Sequence, residues 1–92
     1  MPDSGQLARI FTALAAPARV QMVLLLRTRA LCVQALAARL RMTPSAVSQH
    51  LRVLRAAEVV IPDKRGYYVH YELNRKTLRR WKALVDELLA TD

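Results

Sequence analysis

Apolar positions recur with helical spacing over most of the chain, and this pattern predicts five helices. Pro17 and Pro44 each suit the first turn of a new helix, and Asn74 suits the cap of the last one. In the second helix we expect Val20, Val23, Leu24 and Leu26 to be mostly buried. The predicted helices cover about residues 5–15, 17–27, 32–40, 44–57 and 75–90.

The period changes to that of β-strands between residues 59 and 73. A β-branched run over 59–61 and an alternating segment over 67–73 predict two strands. The cluster 62–66 between them predicts a basic turn. We expect the three tyrosines of the second strand, Tyr67, Tyr68 and Tyr71, to serve strand packing. The predicted fold is therefore mainly α with a small β-hairpin, in a single domain.

The helix predicted over 44–57 has two different faces. Thr43 can cap it, and Val47, Leu51 and Leu54 form an apolar stripe. A second face carries hydroxyl, amide and guanidinium groups that suit the base edges and phosphates of DNA. These side chains are Ser45, Ser48, Gln49 and Arg52. The alternative is an ordinary amphipathic helix with a solvated polar face. Together with the helix before it, the helix over 44–57 predicts a helix-turn-helix over about residues 32–57.

The charge distribution favours nucleic acid as the partner. The 92 residues carry a formal net charge of +8, and the segment from 4 to 57 contains no aspartate or glutamate. A surface selected only for solubility mixes both signs. We therefore expect double-stranded DNA as the partner. The same segment contains Arg9, Arg19, Arg27, Arg29, Arg39, Arg41, Arg52 and Arg55.

Several classes of protein are not expected from this sequence. It has no apolar run of about 18 residues and no evident secretory signal. The single cysteine, Cys32, fits a reducing cytoplasm. With glycine only at positions 5 and 66, no phosphate-cradling loop can form. No nucleophile–base pair stands out, so we expect neither an enzyme nor a cofactor.

The chain contains five short motifs: Ala16–Arg19, Leu31–Ala37, Thr43–Leu51, Leu54–Arg55 and Gly66–Tyr71. Together they resemble the ArsR/SmtB family of bacterial transcriptional repressors, over about residues 7–90. The resemblance implies a winged helix-turn-helix that forms a symmetric dimer and binds an operator near its own promoter. It also implies release of DNA when a metal ion, a metalloid or another signal arrives.

The chain departs from this family at the positions that hold metal. A family Cys-Val-Cys triplet corresponds here to Cys32-Val33-Gln34, so the second thiolate is missing. Residues 75–90 contain Asp86 and Glu87 but no histidine. We therefore expect no metal site, and the inducer stays unknown. Cys32 is either a small buried residue or a candidate for redox or ligand sensing.

The predicted hairpin, about residues 59–73, corresponds to the wing of this family. A third departure lies before its first strand, where the family tends to have glycine and this chain has Glu58. We expect this glutamate to weaken a positive-φ helix stop.

The expected DNA contacts divide by role. Ser45, Ser48 and Gln49 would reach base edges, with His50 flanking them. Arg52 and Thr43 would hold phosphates. Lys64 and Arg65 at the wing tip would meet the backbone or the minor groove, and the alternative for both is a solvated turn.

The last helix has a wider apolar stripe than a small three-helix core needs, and it holds the only tryptophan. This surplus predicts a homodimer that packs through about residues 5–15 and 75–90. The alternative is closure of the stripe within one chain. The expected interface residues are Leu7, Ile10, Phe11, Leu14, Leu78, Trp81, Val85 and Leu88.

The sequence thus predicts a dimeric, sequence-specific DNA-binding transcriptional repressor. A nonspecific architectural DNA- or RNA-binding protein is the alternative, and preference for one promoter fragment over random DNA would separate the two. A winged helix that binds only proteins is a third possibility, which the basic, acid-free half of the chain disfavours.

Overall fold

The computed structural model describes residues 3–91 and confirms the five predicted helices. Three strands form one antiparallel sheet in the order β1-β3-β2. The elements, in chain order, are α1 (Ser4–Leu14), α2 (Pro17–Leu26), β1 (Leu31–Cys32), α3 (Val33–Leu40), α4 (Pro44–Ala56), β2 (Val60–Arg65), β3 (Tyr68–Leu73) and α5 (Arg75–Leu89).

Side-chain caps begin three of the helices. The carboxylate of Asp3 accepts from the Gln6 N–H at 3.1 Å, and the Thr43 hydroxyl accepts from the Ala46 N–H at 3.1 Å. The Asn74 side chain accepts from Thr77 at 3.3 Å. Each cap satisfies an N–H group that the first turn leaves unpaired. The predicted caps at Thr43 and Asn74 are confirmed.

The helix α2 packs into the core with a different face from the one predicted. Met22 and Leu26 are buried, whereas Val20 and Leu24 are exposed. The run Val23–Leu26 is apolar on every side of the helix, so its periodicity does not indicate which face is buried. The buried apolar side chains are Leu7, Ile10, Ala13, Met22, Leu26, Leu31, Leu36, Ala37, Val47, Leu51, Leu54, Val59, Val60, Leu73 and Trp81.

The first strand of the hairpin is longer than predicted, because the expected turn residues 62–65 belong to β2. Pro62 is tolerated there because β2 lies at an edge of the sheet, where a proline costs no ladder hydrogen bond. The turn is only Gly66 and Tyr67. Gly66 has φ 63°, which suits the first position of a tight hairpin turn. The two-residue strand β1, which pairs with β3, was not predicted.

Two helices end in left-handed residues that are not glycine. Arg41 has φ 54° after α3, and Glu58 has φ 62° after α4. At the end of α4, Glu58 N–H donates to Arg55 and Val59 N–H donates to Leu54, at 2.9 and 2.8 Å. This is the Schellman pattern. The left-handed stop therefore forms with glutamate in a strained conformation, and its expected weakening relative to glycine stays a prediction.

Within residues 3–91, no single helix is long and apolar enough to cross a membrane. Helices α1 and α2 meet the length and composition criteria only as a pair that is bent by 87°.

Candidate nucleic-acid interface

The polar face of α4 is open to solvent, as its sequence pattern predicts. Ser45, Ser48, Gln49 and Arg52 are all exposed, while Val47, Leu51 and Leu54 on the other side are buried. The first turn contains no acidic residue. The positive end of the helix dipole therefore remains available to a phosphate. The helix can present hydroxyl, amide and guanidinium groups to DNA while its apolar side holds it in the core.

His50 has a different position from the one expected beside the bases. It is half-buried, and its Nδ1 lies 3.0 Å from the guanidinium of Arg19 on α2. Because a guanidinium can only donate, Nδ1 accepts and the ring proton belongs on Nε2. His50 thus orients α4 rather than standing free beside the exposed face.

Arg19 is a residue whose role sequence reasoning missed. Besides the contact with His50, its guanidinium donates to the carbonyl oxygens of Ala13 and Thr12, at 2.7 and 3.2 Å. It therefore joins the end of α1, the start of α2 and the middle of α4. The sequence offered no signal for this, because His50 lies 31 positions away.

The two cations of the wing, Lys64 and Arg65, differ in their ion pairing. Lys64 and Arg65 are both exposed in β2, where successive side chains point to opposite faces. The Arg65 guanidinium donates to the Asp63 carboxylate at 2.9 Å, which neutralises part of its charge. Lys64 forms no ion pair with any residue of the range 3–91.

The tyrosines do not all serve strand packing. Tyr67 is fully exposed at the hairpin turn, and Tyr68 beside it is 55% exposed. Only Tyr71, which is half-buried, packs against the core. The packing interpretation is therefore wrong for Tyr67, which offers an aromatic ring at the outermost part of the wing.

The arginines of the acid-free segment are not neutralised by any carboxylate of residues 3–91. The three ion pairs between described residues are Asp63–Arg65, Glu58–Arg80 and Asp86–Lys82. None of them involves an arginine from residues 4–57. At the helix-turn-helix, Arg39, Arg41, Arg52 and Arg55 are all exposed. This concentration of unneutralised charge suits the phosphate backbone of DNA.

Cys32 lies at the start of α3 and is half-buried. In the sheet it pairs with His70, whose Nδ1 is buried without a hydrogen-bond partner in the described part of the chain. Across residues 3–91, no group of three or more histidine, cysteine, aspartate or glutamate side chains has a geometry that could hold a metal ion.

The expected dimer residues on α1 and α5 fall into two groups. Leu7, Ile10 and Trp81 are buried within one chain, so they support the surface from inside and are not free to contact a partner. Phe11 and Leu88 are 46% and 45% exposed. Leu14, Leu78 and Val85 are half-buried. An apolar surface of these last five residues remains along the two helices.

The chain is similar in sequence to bacterial transcriptional regulators. A model of the family "Bacterial regulatory protein, arsR family" matches residues 16–61. The chain is 35% identical over its whole length to the "Transcriptional repressor SmtB homolog" of Synechocystis, and covers 70% of that protein. It is 44% identical over 70 residues to the "HTH-type transcriptional repressor SmtB" of Mycobacterium tuberculosis. That match covers 76% of the chain and only 50% of the mycobacterial protein.

Solved structures show the same architecture. The chain superposes on a "possible transcriptional regulator for arsenical resistance" with a TM-score of 0.80 and 37% identity, covering 88% of this chain and 84% of the other. A homodimeric winged helix-turn-helix DNA-binding domain from Mycobacterium bovis superposes with a TM-score of 0.75 and 27% identity. That match covers 94% of this chain and 83% of the other.

Proposed function

The chain belongs to the arsR family of bacterial regulatory proteins and is a DNA-binding transcriptional regulator, and we propose that it is a homodimeric repressor that recognises an operator through α4. The exposed polar face of α4 is the observation that supports this proposal most directly. It combines groups that read base edges with an end that attracts phosphate, and no carboxylate interrupts it.

We assign the DNA contacts by position. Ser45, Ser48 and Gln49 face the major groove, while Thr43 and Arg52 contact phosphates. Lys64 contacts the backbone or the minor groove from the wing, with a smaller contribution from Arg65. His50 keeps α4 at the correct angle.

The dimer that we propose uses the exposed part of α1 and α5. A two-fold axis there places two copies of α4 about 34–36 Å apart, which matches half-sites one turn of DNA apart. The homodimeric mycobacterial domain supports this assembly by similarity. The single domain would span residues 1–92 and act in the bacterial cytoplasm, where its DNA lies. We expect no catalytic activity from a regulator of this family.

Selection of bound fragments from genomic DNA tests the proposal. The protein should enrich one short, two-fold symmetric site and prefer it over random DNA by about 1,000-fold or more. Gln49→Ala should cost about 1–3 kcal/mol on that site and relax the base preference. Equal affinity for all fragments would instead support a nonspecific architectural protein.

A further inference from the structure

A cavity of about 550 Å³ opens between α1, the end of α4 and α5. Its volume lies within the range of pockets that bind small organic molecules. The apolar part of its wall consists of Ile10, Ala13, Val53, Ala56, Ala57 and Trp81.

The polar part of the cavity wall has an excess of positive charge. Its charged residues are Arg9, Arg80 and a single acidic residue, Glu58. Arg80 and Glu58 form an ion pair at 3.9 Å, with side chains 48% and 72% exposed. An ion pair this long and exposed contributes little to stability, and another carboxylate can readily replace Glu58 in it. The Arg9 side chain forms no hydrogen bond or ion pair with any residue between 3 and 91.

We propose that this cavity binds a small carboxylate with an apolar body, and that the bound ligand changes DNA binding through α4. The apolar wall suits the body of the ligand, and the two arginines suit its carboxylate. The structure already places one carboxylate, that of Glu58, beside Arg80. A ligand carboxylate would compete with Glu58 for Arg80 and would also reach Arg9.

The effect on DNA rests on the proposed function, and the cavity wall provides the connection. Val53 and Ala56 lie in the last turn of α4, the proposed recognition helix; Ala57 is its C-cap, and Glu58 is the left-handed residue that follows. The other walls are α1 and α5, which we propose as the dimer helices. A ligand between them would change the angle of α4 relative to the dimer axis, and so the spacing of the two recognition helices.

Binding can be measured without DNA, because Trp81 is the only tryptophan of the chain and lines the cavity. Octanoate is the test ligand, and octanamide is its uncharged match. Titration with octanoate should give a saturable change in Trp81 fluorescence, at least about tenfold tighter than with octanamide. Equal affinity for the two compounds, or no saturation up to about 10 mM octanoate, would overturn the proposal.

Two variants locate the site. Arg80→Gln should weaken octanoate about tenfold and leave octanamide unchanged, whereas Arg79→Gln, an exposed neighbour outside the cavity wall, should affect neither. Equal losses in both variants would mean general charge attraction and would refute the site.

Ala56→Leu places a longer side chain into the cavity from an exposed position and should abolish binding of both compounds. Wild-type binding by this variant, with an unchanged circular dichroism spectrum, would place the ligand elsewhere and refute the proposal.

A DNA fragment that the protein itself selects from a genomic library tests the second half of the inference. Saturating octanoate should change its Kd about tenfold or more for the wild type and leave it unchanged for Ala56→Leu. An unchanged Kd at saturation would refute the coupling while leaving the DNA-binding function intact. If no fragment is selected, the proposed function and the coupling both fail, and the fluorescence titration alone decides carboxylate binding.

Discussion

The guanidinium of Arg19 on α2 lies 3.0 Å from Nδ1 of His50 on α4. Through the same side chain, α2 is hydrogen-bonded to the last carbonyl groups of α1. One arginine thus links α4 to α1 and α2. A helix reads bases only if its side chains meet them at a set angle, so residues without DNA contact can govern affinity.

This relationship gives the first prediction. His50→Ala should lower the free energy of unfolding by about 1–3 kcal/mol, because it removes the acceptor of a charged donor. Affinity for the operator should fall without a change in base preference. His50→Asn, whose side-chain oxygen occupies the place of Nδ1, should restore much of both. Urea denaturation and competition binding with single-base operator variants measure the two quantities.

Gln49→Ala is the matched control, and it should show the reverse pattern, with relaxed base preference and stability within about 0.5 kcal/mol of the wild type. If His50→Ala kept its stability but lost base preference, His50 would be a direct base contact and the positioning role would be wrong.

The wing gives a second prediction, which revises the equal roles expected for its cations. Lys64→Ala should reduce the slope of log Kd against log salt concentration by about one unit per protomer, and so by about two units for the dimer. Arg65→Ala should reduce it less, because Asp63 already neutralises part of its charge. Asp63→Ala should strengthen binding to every DNA sequence. Fluorescence anisotropy at several salt concentrations provides the slopes. A larger loss for Arg65→Ala than for Lys64→Ala would show that the ion pair opens on DNA.

The third prediction concerns the dimer. The double variant Phe11→Ser with Leu88→Ser should raise the dimer dissociation constant by about 100-fold or more, because both side chains lose apolar contacts in each protomer. Leu24→Ser is the control, since Leu24 is 51% exposed on α2, outside the proposed interface. Trp81 is unsuitable for this test, because it is only 7% exposed and belongs to the core.

Sedimentation equilibrium at micromolar concentration distinguishes the outcomes. A stable wild-type monomer would refute dimerisation altogether. A dimer weakened by Leu24→Ser and not by the double variant would move the interface to α2.

The fourth prediction is that Zn²⁺ and As(III) leave operator binding unchanged at stoichiometric concentration. One thiolate at Cys32 is too few for either ion, and Gln34 replaces the second. Titration of the reduced protein while operator binding is followed gives the answer. Tight release by either ion, lost in Cys32→Ser, would establish a metal sensor. Release by a thiol oxidant or alkylating agent alone, also lost in that variant, would assign redox sensing to Cys32.

Local signals were sufficient for much of the fold. Thr43 and Asn74 were predicted as caps because capping depends on only three or four neighbouring residues. The two faces of α4 were predicted because apolar and polar residues alternate there with a clear helical period.

The remaining features depend on contacts that the sequence does not place together. The buried face of α2 depends on which side meets the core, and its own residues are apolar all round. The strand β1 has two residues and exists only because β3 lies beside it. The role of Arg19 required the distance to His50. The left-handed turn at Glu58 forms because the helix–strand junction imposes it, against the preference of glutamate.

The tight turn at Gly66 also explains where the wing can hold its cations. A Cβ atom added at Gly66 would meet no atom within 4 Å, so space does not restrict this position. The restriction is torsional: glycine, asparagine and aspartate adopt a left-handed backbone most readily, whereas a cationic residue does so under strain, as Arg41 does at φ 54°. A lysine or arginine would strain the backbone by about 1–2 kcal/mol there. A cation at the apex of the wing is therefore unfavourable, and Lys64 and Arg65 carry the positive charge at the end of β2.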